Sequence, residues 1–230
     1  MATTTEASPT EPRVGRALVS EGLGTALLLW TIVASGIVVE RHIAEVGVQL
    51  IVHGLAVGIG LGVLIAVLGP LSGAHFNPAV TVGFLRMRTL GSRRAASYVA
   101  VQIGAAVVGV VAANLMFGES AIAVSLTVRS GLAQASSEFV GTFVLVLAIL
   151  VLVRAGRTSF VPGVVGGWVT VIIVASPSTG FANPAVTIGR MFTDTFSGIR
   201  PVDILAFIAV QLVAAVAAAA LAMWLEPEAE

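Results

Sequence analysis

One five-residue motif occurs twice in this chain. Asn77-Pro78-Ala79-Val80-Thr81 recurs unchanged as Asn183-Pro184-Ala185-Val186-Thr187. Asn is a favoured helix N-cap, because its side-chain oxygen accepts an orphan backbone N–H. Pro suits the first helical position, where no N–H is needed and φ is already set. Both copies therefore predict helix starts, and the preceding Ser72-Gly73 and Thr179-Gly180 predict extended loops. The helices they open, over 77–86 and 183–192, are too short to cross a bilayer, which takes about 20 apolar residues. They lie among six segments that are long enough: 17–39, 46–69, 94–117, 133–153, 159–177 and 202–225. A helix start at membrane depth is tolerated only where it is buried in protein or lines a wet cavity.

Composition confirms the membrane setting. The 230 residues are 57% hydrophobic and 10% charged, against about 45–50% and about 25% in a soluble domain. That excludes soluble enzymes, nucleic-acid binders and secreted disulfide scaffolds. The net charge is zero, so no global field recruits nucleic acid. No cysteine is present, which removes disulfides and thiolate metal sites. The polar stretch 1–16 precedes an apolar run too long for a signal peptide and without a small-x-small cleavage site, so that run is read as a retained span. All twelve basic residues are Arg. Six spans put eight of them (13, 16, 86, 88, 93, 94, 154 and 157) on one side and Arg41, Arg129, Arg190 and Arg200 on the other. Basic loops stay inside, which predicts cytoplasmic termini in a cell (plasma or inner) membrane.

The motif belongs to a larger repeat. Glu21-x-x-Gly24-Thr25 recurs as Glu138-x-x-Gly141-Thr142, and Ala100-Val101-Gln102 as Ala209-Val210-Gln211, in the same order. Each half holds three spans, and an odd number turns the second half upside down relative to the first. The predicted architecture is an all-α membrane protein with six transmembrane helices and two half-helices in two inverted repeats. The repeats are 17–117 and 133–225, between a polar tail 1–16 and an acidic tail 226–230. Inverted repeats place their functional site near the midplane, on the pseudo-two-fold axis. There the two half-helices meet at their N-termini, each carrying about half a positive charge. Facing a lumen, these ends oppose cations. Asn77 and Asn183, where not consumed by capping, offer amide N–H donors. The carbonyls around 73–75 and 180–182 offer acceptors. Such a path favours small uncharged hydroxyl-bearing solutes.

On these residues, with Gly73-Ala74-His75-Phe76 leading into the first motif, the chain resembles the major intrinsic proteins, the aquaporins and aquaglyceroporins. The resemblance covers essentially everything after residue 16. It implies the aquaporin fold, a homotetramer with one pore per subunit, passive flow and no cofactor. It makes Asn77 and Asn183, with Ala79 and Ala185, the pore midplane. Glu21 and Glu138 become braces of the half-helix loops. An ion-coupled secondary transporter also uses inverted repeats and membrane acids, but the symmetric placement of these two glutamates suits bracing better.

Water-selective members of that family narrow the outer pore with a span 2 aromatic, a span 5 His, a loop residue and an Arg directly after the second Asn-Pro-Ala. Carried over position by position, these become Val57; Val171 or Ile172; Gly180 or Phe181; and Val186. His and Arg are both gone, which removes bulk, donors and a cation. The expected filter is wide and apolar, unless Phe181 or a shifted helix refills the gap. Similar channels reading Asn-Pro-Ala-Val-Thr-Ile are bacterial and metalloid-associated. The expected function is a passive channel for water and small uncharged solutes, including metalloid acids such as arsenite. A glycerol or polyol facilitator is the alternative.

Two polar residues stand one helical turn outside the filter positions. Arg190 follows Val186 by four residues and His53 precedes Val57 by four. Arg190 either lines an outer vestibule, as a displaced remnant of the filter charge, or snorkels to the interface. His53 either lines that vestibule or packs between helices. No catalytic triad, phosphate loop or metal-ligand cluster is legible, so the expected partners are lipid, other copies of the chain and small neutral solutes.

Overall fold

The computed structural model describes residues 14–225. Residues 1–13 of the polar tail and the whole acidic tail 226–230 lie outside the described residues. The elements are α1 (Val14–His42), α2 (Val46–Ser72), α3 (Pro78–Arg86), α4 (Ser92–Met116), α5 (Leu132–Arg154), α6 (Val161–Ala175), α7 (Pro184–Gly189) and α8 (Ile204–Trp224). Short 3₁₀ turns lead into α6 (Thr158–Phe160) and α8 (Pro201–Asp203). With those turns, α1, α2, α4, α5, α6 and α8 are each long and apolar enough to cross a membrane. The second half-helix is shorter than the expected 183–192. Its α-helical part stops at Gly189 and tightens into a 3₁₀ turn over Arg190–Phe192.

The two half-helices start as the sequence requires. Asn77 and Asn183 have extended backbones, with φ −155° and −161°. The Oδ1 of Asn77 accepts the Ala79 N–H at 2.8 Å, and that of Asn183 accepts the Ala185 N–H at 2.9 Å. The loops before them repeat residue for residue. Gly73, Ala74 and Phe76 are left-handed, with φ of 91°, 48° and 48°. Their counterparts Thr179, Gly180 and Ala182 have φ of 59°, 60° and 47°. A non-glycine residue in this region costs about 1–2 kcal/mol, so strong hydrogen bonds must hold both loops.

Packing follows the duplication. In the first half α1 lies against α4, and in the second α5 lies against α8. Across the halves α2 lies against α6. Lipid gives no hydrophobic drive between helices, so close approach relies on small residues. A Cβ on Gly58 would strike the Gly166 carbonyl, and one on Gly166 would strike the Gly58 carbonyl. On α8, Ala214, Ala215, Ala218, Ala219 and Ala222 form the buried face. Large apolar side chains on the other faces, such as Ile59, Val63 and Val67 of α2, point outward. A bilayer is the solvent those faces suit.

The loops joining α3 to α4 and α5 to α6 carry Arg88 and Arg157, with further arginines at the adjoining helix ends. That side is the Arg-rich end of the bundle.

Gly166 and Gly167 supply a matched test of the α2–α6 contact. Nothing lies within 4 Å of a Cβ built on Gly167. Gly166→Ala is expected to destabilise the protein by about 1–3 kcal/mol through overpacking. Gly167→Ala is expected to be neutral or to stabilise by up to about 1 kcal/mol through helix propensity. Thermal melting of both variants in detergent checks this, and equal melting temperatures would refute it.

Candidate functional site

Two buried glutamates hold the loops in place. Glu21, on α1, accepts the backbone N–H groups of His75 and Phe76 at 2.9 and 2.8 Å. It also accepts Gln102 Nε2 at 2.8 Å and the Ser72 hydroxyl at 2.7 Å. Glu138, on α5, accepts the N–H groups of Phe181 and Ala182 at 2.9 and 2.8 Å, and Gln211 Nε2 at 2.6 Å. Gln102 and Gln211 in turn reach Thr81 and Thr187 of the half-helices, at 3.1 and 3.0 Å. The Ala-Val-Gln repeat is thus the third corner of each brace. Its recurrence was the signal, although nothing in the motif stated the role. Both carboxylates are fully buried and occupied by loop donors, which leaves little capacity to bind a coupling ion.

At the centre the two asparagines tie the halves together. Asn77 Nδ2 donates to the Ala182 carbonyl and Asn183 Nδ2 to the Phe76 carbonyl, both at 2.8 Å. A carboxamide has two N–H donors. One is spent across the axis, so one per asparagine remains for the lumen, rather than both. Asn77 and Asn183 border one narrow cavity of about 40 Å³, room for about three waters at 10–15 Å³ each. Ala79 and Ala185 do not border it. They are fully buried behind the asparagines, and their part is to donate backbone N–H groups to the Asn caps.

Four expected filter residues, Val57, Gly180, Phe181 and Val186, border that cavity. The two span 5 candidates do not. Val171 is 49% exposed and faces an outward groove between α5 and α6. Ile172 wedges against Gly141 and Gly180. Val169 and Ile173 face the cavity instead. The reason is rotation. Each residue turns a helix by about 100°, and the tight connection from α6 to Asn183 puts the inward position one residue later than counting back from the motif allows.

His53 and Arg190 border the same cavity. His53 Nδ1 lies 2.8 Å from the Ser35 hydroxyl, and its ring meets Phe196 edge-on at 5.5 Å. It both packs between helices and faces the lumen. Arg190 is 3% exposed, so it does not snorkel. Its Nε donates to the Ser197 carbonyl, and its guanidinium lies 3.5 Å over the Phe181 ring. At the Arg-rich end a wider cavity of about 630 Å³ opens, bordered by Ile65, Gly73, Phe84 and Ile149.

One residue of the site gave no signal in the sequence. Arg129, in the loop before α5, donates to the Gly198, Ser178 and Phe196 carbonyls at 2.7, 3.0 and 3.2 Å, and to the Thr179 hydroxyl at 3.1 Å. It pins the loop before α7 to the loop before α8. Burial pushes its guanidinium down to about 10, so it remains a cation at neutral pH. In the first half the corresponding Ser72 carbonyl is held by the Tyr98 hydroxyl at 2.8 Å.

Glu138→Gln tests the brace. The amide turns an NH₂ toward a backbone N–H and leaves it unsatisfied, at about 1–3 kcal/mol for each buried group. A lower melting temperature and a matching loss of osmotic water flux are expected. An unchanged melting temperature would show that Glu138 does not support the loop.

Comparison with known proteins agrees with this geometry. Residues 9–182 match the family described as Major intrinsic protein. The chain is 45% identical over 210 residues to the aquaglyceroporin AqpS of Rhizobium meliloti (strain 1021), covering 91% of this chain and 90% of that one. It is 31% identical to Nodulin-26 of Glycine max, over 76% of this chain and 66% of the other. Its fold resembles the aquaglyceroporin from Plasmodium falciparum, with a TM-score of 0.72 at 23% identity over 90% of this chain and 95% of that one. The chain belongs to the major intrinsic protein family, and is a multi-pass membrane channel for water and small solutes rather than an enzyme.

Proposed function

We propose that this channel passes uncharged solutes larger than water, with undissociated metalloid acids such as arsenous acid as one class and glycerol or other polyols as the other. The observation that carries the reading is the pairing of Val57 and Val186 on one cavity wall. Neither an aromatic ring nor an arginine stem occupies those positions. Aliphatic side chains carry no hydrogen bonds that must break when they move aside, whereas an arginine fork is held in place by its donors. The name of the relative AqpS, an aquaglyceroporin, supports polyols. The Asn-Pro-Ala-Val-Thr-Ile reading of the second motif supports metalloids. Asn77 and Asn183 are proposed as midplane donors, and Val57, Ile173, Gly180, Phe181 and Val186 as the selectivity filter. The protein is proposed to assemble as a homotetramer in the cell membrane with both termini cytoplasmic, which makes the Arg-rich end cytoplasmic.

A solute panel in proteoliposomes decides between the two classes. Wild type is expected to pass water together with glycerol, arsenous acid or both, and Val186→Arg to suppress the larger solutes more than water. Passage of water with exclusion of both glycerol and arsenite would overturn the reading that this filter admits solutes larger than water. Accumulation driven uphill by a proton gradient would overturn passive flow. Mercurials act on thiols, and the chain has no cysteine. Its water flux is therefore expected to be insensitive to mercuric chloride, which the same stopped-flow trace reads directly.

A further inference from the structure

Two buried arginines approach the Phe181 ring, and they are used differently. Arg129, 5.1 Å from the ring centroid, spends all three of its nitrogens on backbone carbonyls and the Thr179 hydroxyl. Arg190, 3.5 Å from it, spends only Nε, on the Ser197 carbonyl. Among the described residues no protein acceptor meets Nη1 or Nη2 of Arg190, and neither is sealed away from space. The residue borders the cavity that Asn183 and Val186 border, and these two amino groups are its donors left for a solute.

Arg190 is attracted through space by the Glu138 carboxylate but is not paired with it. It forms no ion pair among the described residues. The acids at this end are engaged elsewhere: Glu40 with the Phe196 N–H, Glu119 with Arg41, Asp194 with the Leu126 N–H, and Asp203 with Arg200 and the Arg129 N–H. Glu138 is held by loop donors. Arg190 sits in the 3₁₀ turn that follows α7, and its guanidinium lies over Phe181, on the cavity that Val186 also borders.

We infer that Arg190 is the fixed cation of this pore, carried one turn outward from position 186. It excludes protons and small cations and presents hydrogen-bond donors to solute oxygens, while leaving the apolar constriction at Val57 and Val186 free of a guanidinium. The inference rests on the channel reading and deepens it. A solute larger than water meets donors and charge at Arg190, which Phe181 and Ser197 position, and beside them the aliphatic side chains of Val57 and Val186. A buried charge without an ion-pair partner beside a permeation path is felt strongly, because the surroundings screen it poorly. An arginine lining a pore is a recognised barrier to cations.

The test compares wild type, Arg190→Gln, Arg190→Met, Arg190→Lys and the double variant Val186→Arg with Arg190→Gln in proteoliposomes. Stopped-flow swelling reads water flux. An internal pH dye at a clamped potential reads proton leak. Gln keeps a donor near Ser197 and Met keeps the stem on Phe181, so two neutral variants guard against misfolding. Both are expected to pass water, with a proton leak per unit water flux raised about tenfold or more, the scale for losing a full charge in a weakly screened site. Lys is expected to keep the leak at the wild-type level, and Val186→Arg to restore tightness to Arg190→Gln. Neutral variants that pass water with an unchanged leak would overturn the proposal. So would loss of water flux in both, which would assign Arg190 to holding the 193–199 loop. If wild type itself passed no solute, the channel reading would fail, which is a separate result from either.

Discussion

A re-entrant loop at membrane depth has no water to satisfy its backbone, and everything else in this molecule depends on how that problem is met. Glu21 and Glu138 each supply a carboxylate that accepts two consecutive loop N–H groups. An unpaired amide in hydrocarbon costs several kcal/mol. A buried carboxylate without donors costs more still. Together they satisfy each other, and each brace holds one glycine and two non-glycine residues in the left-handed region. Fixing the loop fixes the Asn cap at its end. Fixing the cap fixes where each half-helix begins, and so where the two positive helix ends face each other.

The duplication is strict in this skeleton and relaxed along the lumen. At matching positions the two halves share Glu, Gln, Thr, Asn and the Ser72 and Ser178 hydroxyls, which accept the N–H groups of Ala74 and Gly180. Along the lumen the equivalents diverge. His75, stacked on Phe84 at 4.6 Å, corresponds to Phe181. Phe84, at the mouth of the wide cavity, corresponds to Arg190, in the narrow one. The Ser72 carbonyl is held by a tyrosine, the Ser178 carbonyl by an arginine. One scaffold drawn twice therefore encloses a pore whose two ends differ. The proposed filter lies where the repeat is broken, at positions where a side chain can answer to the solute rather than to the fold.

That division also explains what could be read from the chain before its structure. Spans and half-helix starts were legible as local patterns and the two glutamates as a repeated pair, while their bracing role came from the family resemblance. The Asn cap needs only its own dipeptide, and a second copy gives it direction. The span 5 filter position was not legible. A helix face turns about 100° per residue, so a one-residue difference in the connection to Asn183 exchanges Val171 and Ile172 for Ile173. Ala79 and Ala185 were placed at the pore because they belong to the motif, yet the motif's geometry turns the asparagines inward and the alanines away. Arg129 was invisible for another reason. Its partners at 178, 196 and 198 come from two loops far along the chain, and no local spacing encodes such a tie.

The charges left at the Arg-poor end give the pore a direction. Each half-helix N-terminus contributes about half a positive charge at the midplane, and this term is symmetric. Arg129 and Arg190 add two cationic side chains on one side only, close to Phe181, and the Glu138 carboxylate attracts both. Asp203 offsets Arg200 rather than either of them, through its ion pair at 2.8 Å. A neutral solute is nearly indifferent to this asymmetry and feels mainly width and donors. In the role proposed for Arg190, a cation meets a barrier there before it reaches the midplane, and a second one at the helix ends. An anion is drawn toward the mouth but then faces Val57 and Val186, where no donor replaces its hydration. Both signs of charge are thus opposed by different parts of one short path. On the proposed reading, a pore lined by Val57 and Val186 instead of an aromatic ring and an arginine still keeps ions out.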